Sequence, residues 1–182
     1  MNRQTQPTSV RGRRGFTIIE VTATVVVLGI LAAAAVPALD AIESARMAAA
    51  PVEVERVLLA ARARAMATAR PTGVTVSPGE GEISVVEVAA PGQAPAVVRD
   101  VFGQPMQPVD LSARYAGATV TGFVNGDGNH DPGTVWFNHE ARPHVRTTGG
   151  DFSAYFTQDA VVTMSSGRTV VVRRVTGAVT LP

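Results

Sequence analysis

"RRGFTIIEVTATVVVLGILAAAAVPAL", residues 13–39, decides how the rest of the chain is read. Residues 21–39 are 19 consecutive positions without a charge. At ~1.5 Å per residue they make about 28 Å of helix, close to the hydrocarbon thickness of a bilayer. Arg3, Arg11, Arg13 and Arg14 precede this run, and no cation stands immediately after it. The positive-inside bias then puts the N-terminus in the cytoplasm and makes residues 40–182 extracytoplasmic. Glu20 is the discordant residue. A charge inside an apolar helix costs on the order of 2.5–3.5 kcal/mol on insertion scales.

Two readings discard the apolar segment. An ordinary signal peptide would use the basic start, the apolar run and small residues such as Ala33 and Ala35 for cleavage. A twin-arginine signal would use Arg13-Arg14-Gly15-Phe16. Neither accounts for Glu20.

A third reading does. Gly15-Phe16-Thr17-Ile18-Ile19-Glu20 resembles the type IV prepilin signature. The resemblance implies cleavage between Gly15 and Phe16 by a prepilin peptidase, then N-methylation of Phe16. The apolar helix is kept, first as a membrane anchor and then as part of a filament core. Glu20 would pair there with the Phe16 amine of a neighbouring subunit, which offsets much of its burial cost. The positive end of the helix dipole favours the same carboxylate. Gly29 and Pro37 are weak points of the helix by entropy and by a missing N–H, and the resemblance gives them a role in local loss of helical order on assembly.

The chain has 182 residues and no Cys, which excludes disulfides, thiolate metal sites and a Cys nucleophile. Every cation is Arg. Without residues 1–15, 12 Arg face 15 acids, a net −3, so net charge gives no argument for a nucleic-acid partner.

Good helix formers dominate residues 40–70, with an apolar stripe expected along Ile42, Ala45, Ala49, Val52 and Leu59. Pro51 is expected to kink or restart the helix. Beyond it, strands are expected at 73–77, 82–88, 96–102, 118–124, 134–138, 152–157, 160–164, 168–175 and 178–181, separated by turn signals such as Pro78-Gly79, Asn125-Gly126 and Thr176-Gly177. The fold class is α+β. A leader (1–15) precedes a membrane and filament-core helix (16–39), its amphipathic continuation (40–70) and a mostly antiparallel periplasmic β domain (71–182).

Residues 58–67, then Arg70-Pro71 and Val74-Thr75-Val76, with Val135-Trp136-Phe137-Asn138 and a Val/Arg strand near the end, look like the H-type minor pseudopilins of type II secretion. One departure is Glu140-Ala141-Arg142-Pro143 where that group often has a Gly. The resemblance implies a mechanical, non-enzymatic role near the tip of a short periplasmic filament that drives exoprotein export. Its partners would be other major and minor pseudopilins, the prepilin peptidase and an inner-membrane assembly platform. The alternative is a minor type IV pilin that serves pilus assembly or DNA uptake.

Other candidate sites compete. Asn125-Gly126-Asp127-Gly128-Asn129-His130-Asp131 alternates oxygen donors as a calcium loop does, with Asp127, Asn129 and Asp131 as ligands. It lacks the Gly and Glu of an EF-hand at the required offsets. No cofactor is expected, with calcium left open by this loop. His139 and His144 are spaced five apart with Pro143 between them, which is not a zinc-protease motif; these two and His130 are expected as solvated loop residues. Arg168, Arg173 and Arg174 could contact phosphate, with Arg173 and Arg174 on opposite strand faces. Gly167-Arg168-Thr169-Val170 lacks the second Arg of the Gly-Arg-x-Arg motif found in some DNA-binding pilus relatives.

Overall fold

The computed structural model describes residues 15–79, 81–90, 92–127, 133–147, 150–152 and 154–182. The chain divides into two compact units, Met1–Ala41 and Ile42–Pro182. One helix, α1 (Ile18–Thr68), runs from the first into the second.

In the first unit every described residue is exposed. Val25, Leu28, Ile30 and Leu31 are each at least half exposed. Among the described residues of the unit nothing covers this apolar surface, and the helix is long and apolar enough to cross a membrane, with a best-window mean hydropathy of 2.4. A helix suits that task because its backbone polar groups are satisfied internally. The threonines of the segment obey the same logic. The Thr22 hydroxyl donates to the Ile18 carbonyl at 2.8 Å, and that of Thr24 to the Glu20 carbonyl at 2.7 Å.

In the second unit α1 buries Ala50, Val54, Val57, Leu58, Ala61 and Ala65. These positions repeat with the helical period. The expected stripe lies on another face: Ile42 is 50% exposed, Val52 50% and Leu59 41%. The segment is apolar around much of its circumference, and its small buried alanines signal weakly beside the larger exposed residues. Pro51 is buried, and α1 continues through it as one element rather than restarting.

The strands come in chain order: β1 (Thr72–Val76), β2 (Glu82–Glu87), β3 (Ala96–Val97) and β4 (Val109–Asp110). A short helix, α2 (Leu111–Arg114), is next, capped by the Asp110 carboxylate accepting from the Ala113 N–H. Then come β5 (Val120–Val124), β6 (Gly133–Phe137), β7 (Pro143–Val145), β8 (Ala154–Tyr155), β9 (Ala160–Met164), β10 (Thr169–Val172) and β11 (Val179–Thr180). One sheet has the order β3-β2-β1-β6-β7-β8, with β4 also on β2; the other has the order β11-β10-β9-β5. All named pairings are antiparallel.

The buried face of α1 joins Val74, Val76, Ile83, Val135 and Phe137 of the first sheet and Phe123, Val162, Met164, Val170 and Val172 of the second in one core. In β9 and β10 the alternation is plain: Ala160, Val162, Met164, Val170 and Val172 are buried, and the residues between are not. Sequence patterning does not anticipate β4, α2 or β7. The strand expected at 96–102 pairs as strand only at Ala96–Val97 and turns into a separate small hairpin. The one expected at 168–175 ends at Val172.

Arg62 ties helix to loops. Its guanidinium donates to the Ala141 carbonyl at 3.2 Å and the Thr176 carbonyl at 3.1 Å. Ala141 takes the left-handed conformation, with φ 63°, in the turn where Gly is the common choice. Asn138 makes this tolerable, because its side-chain oxygen accepts from the N–H groups of Glu140 (3.1 Å) and Arg142 (2.9 Å).

Candidate functional site

The site of interest is the head of α1. Gly15, Phe16 and Thr17 precede the helix in non-helical conformation, and Phe16 is 79% exposed. The Gly15–Phe16 bond therefore lies outside the hydrogen-bonded helix. Thr17 acts as its N-cap. The Thr17 hydroxyl oxygen accepts from the Glu20 N–H at 3.3 Å, and its carbonyl accepts from Glu20 at 3.1 Å and Val21 at 3.2 Å. Thr17-Ile18-Ile19-Glu20 is the S/T-x-x-E spacing of a capping box. The sequence carries that signal, and reading Glu20 as a filament contact hides it. Gly15, Phe16, Thr17 and Glu20 together line one open recess of about 340 Å³. Glu20 is thus an acid in the first helical turn, where the dipole stabilises it.

Gly29 and Pro37 both lie within α1. A Cβ added at Gly29 would meet nothing within 4 Å, so close packing inside the chain does not require glycine there.

The three arginines are exposed, and each is engaged. Arg173 and Arg174 do not alternate across a strand. They stand just past the end of β10 and converge on Asp159, which leads into β9. Arg173 donates to Asp159 Oδ2 at 2.8 Å, the Arg174 N–H donates to Asp159 Oδ1 at 2.8 Å, and the Arg174 guanidinium donates to the Thr157 carbonyl at 2.5 Å. The Arg174 N–H and then the Arg173 guanidinium hold the Asp159 carboxyl below its ordinary range. Arg168 reaches the Ala48 carbonyl at 3.4 Å.

Of the calcium candidates, only Asp127 falls among the described residues; Asn129 and Asp131 lie outside them, as does His130. Among the described residues no group of three His, Asp or Glu side chains is placed to hold a metal.

His139 is exposed, but His144 is not a solvated loop residue. It belongs to β7 and is 7% exposed. Its Nε2 faces Asn138 Nδ2 at 3.0 Å, and Nδ1 faces the Phe152 carbonyl at 3.2 Å. Asn138 Nδ2 can only donate and a carbonyl can only accept, which fixes a neutral ring with the proton on Nδ1. Burial pushes the His144 pKa down. Tyr155 stacks beside it, with ring centroids 4.3 Å apart, and Arg142 lies 4.0 Å over the Tyr155 ring.

The family model described as "Prokaryotic N-terminal methylation motif" matches residues 10–36. No curated protein matches the chain. Two solved structures of the type IV minor pilin FimU of Pseudomonas aeruginosa, in different crystal forms, are similar to it. One is 14% identical with a TM-score of 0.45, covering 74% of this chain and 90% of that one. The other is 13% identical with a TM-score of 0.46, covering 75% and 87%. The methylation motif heads one long helix with antiparallel sheets after it.

Proposed function

We propose that the chain is a membrane-anchored subunit of a type IV pilin-like filament, cut between Gly15 and Phe16 and methylated on Phe16. The observation that carries this reading is the head of α1. The bond to be cut lies outside the helix, Glu20 sits in the first turn, and an uncovered apolar segment comes after it. The cut creates an amine at Phe16, the charge that the Glu20 carboxylate of a neighbour needs. The role is that of a structural subunit. Its α1 packs among other subunits and its β domain stands in the periplasm. The partners in this reading are the prepilin peptidase, the assembly platform and other subunits of the filament.

The finer assignment is a minor pseudopilin of the H type in type II secretion. Its rival, a DNA-contacting pilus subunit, needs arginines available to phosphate, whereas the Arg173 guanidinium is already paired with Asp159 and that of Arg174 with the Thr157 carbonyl. The mass of the N-terminal peptide tests the main reading. N-methylated Phe16 is expected, and cleavage near Ala35 would restore the ordinary signal peptide. Gly15→Val should leave the full precursor mass. Glu20→Val should leave the subunit in the membrane but deplete it from sheared filaments; equal recovery there refutes the pairing role.

A further inference from the structure

One side chain holds the turn between β6 and β7 together. The Asn138 side-chain oxygen accepts from the Glu140 and Arg142 N–H groups, and the Asn138 N–H donates to the Arg142 carbonyl at 3.0 Å. This fixes the amide. With its oxygen committed to two donors, Nδ2 is the end turned to His144 Nε2. Glu140 Oε2, an acceptor 3.5 Å from the same Nδ2, agrees with that orientation. The ring is equally committed, because the Phe152 carbonyl holds its Nδ1–H. Nε2 can accept from Asn138 only while the ring is neutral.

A proton on Nε2 breaks this arrangement. It turns the acceptor into a donor that faces a donor, Nδ2. Reversing the amide brings the oxygen to the charged ring, but Nδ2 then faces the N–H groups of Glu140 and Arg142. No orientation of the amide satisfies both sides, and buried donors left unpaired are costly. The turn is the part that can yield. Its Ala141, held at positive φ, carries the carbonyl that accepts from Arg62 of α1. Its Asn138, His139 and Glu140 line a pocket of about 440 Å³ together with Pro71, Phe152 and Tyr155.

We propose that His144 and Asn138 form a proton-operated latch: protonation of His144 Nε2 reverses the Asn138 amide, opens the 138–142 turn and detaches the Ala141 carbonyl from Arg62. The groups around the ring set where it acts. Burial holds the closed ring below its ordinary value of 6.5; Arg142 and His139 on the turn act in the same direction, and the Phe152 carbonyl and Glu140 act against it. Asp151, on the connection before β8, lines the same pocket, and Tyr155 of β8 stacks beside the ring. Opening exposes the ring and returns it towards 6.5. The closed-to-open ratio therefore falls by up to about tenfold per pH unit beneath that value, until the closed ring itself protonates.

The test uses the full chain in detergent. Amide hydrogen exchange of residues 139–142 is followed at pH 7.5 and 5.5 and corrected for the intrinsic rate. Protection there should fall about tenfold at pH 5.5, while that of β9 and β10 holds. His144→Gln supplies an amide that accepts from Asn138 and cannot charge, so its turn should stay protected at both pH values. Asn138→Asp keeps one oxygen for the two turn N–H groups and gives the other to the charged ring, so its turn should also stay protected at pH 5.5. Trp136 is the sole tryptophan and the cross-strand partner of His144, so its fluorescence reports the proton separately. Quenching should have its midpoint below 6.5 in the wild type, move to higher pH in Asn138→Asp and vanish in His144→Gln. A turn unchanged by pH in the wild type, a loss of protection shared by β9 and β10, or the same loss in either variant overturns the proposal.

Discussion

Gly177 has little freedom to change. Its φ is +65°, and a Cβ there would overlap the Ala141 carbonyl oxygen, the atom that also accepts from Arg62. Backbone strain and steric overlap act together, so Gly177→Ala should lower unfolding free energy by about 2–4 kcal/mol, read from urea melts of the full chain in detergent. Thr176-Gly177 is legible as a turn, because glycine marks such places. Its partner Ala141 is not, because nothing local says that an alanine will adopt positive φ. The burial of His144 is hidden for a similar reason: β7 is too short to show a period, and the cover of this residue comes from β8 and Phe152. The folded imidazole resists the proton that the unfolded chain takes up near 6.5. Stability is thus fully present above that pH and falls as pH drops through the window beneath it. Melting temperature should decline from pH 7.5 towards 5, and His144→Gln should flatten that part of the slope.

At the scale of elements, α1 shows what periodicity can and cannot decide. The existence of the helix and its approximate ends are legible from composition and from Arg70-Pro71. Its buried face is not, because both faces are apolar. Leu58 and Leu59 are adjacent, yet the first is fully buried and the second 41% exposed. Leu58→Ala should cost about 2–5 kcal/mol by loss of burial and creation of a cavity, and Leu59→Ala within about 0.5 kcal/mol of nothing. Equal losses in parallel melts would contradict the face assigned to the helix. Arg62 adds a polar tie from the same element. Arg62→Met keeps much of the stem but leaves the Ala141 and Thr176 carbonyls without this donor, for a loss of about 1–3 kcal/mol. β9 and β10 are readable because strict alternation over a half-buried strand survives in the sequence. β4 and β7 are too short to show any period.

For the whole molecule, charge is the property that separates the two filament readings. Residues 1–15 hold four of the 16 arginines, and residues 16–182 carry a net −3. Local basicity near the C-terminus resembles a phosphate-binding strand because the last strands gather Arg168, Arg173 and Arg174. The fold then commits the Arg173 guanidinium to Asp159 and the Arg174 guanidinium to the Thr157 carbonyl, and the distance of these partners along the chain hides the pairing. Binding to DNA through all three would release about 0.9 counterion per phosphate contacted, a slope of roughly −3 in log affinity against log salt. The processed chain in detergent should show no salt-dependent shift of a short duplex even at low salt. Asp159→Asn removes the acid that pairs with the Arg173 guanidinium and accepts from the Arg174 N–H, and any affinity these arginines hold for phosphate should emerge in that variant first. A wild-type shift with a slope near −3, abolished by replacing Arg173 and Arg174, would reverse the order of the readings and make this a nucleic-acid-contacting pilus subunit. A shift seen only with Asp159→Asn would show that the local pairing is what withholds these arginines from phosphate.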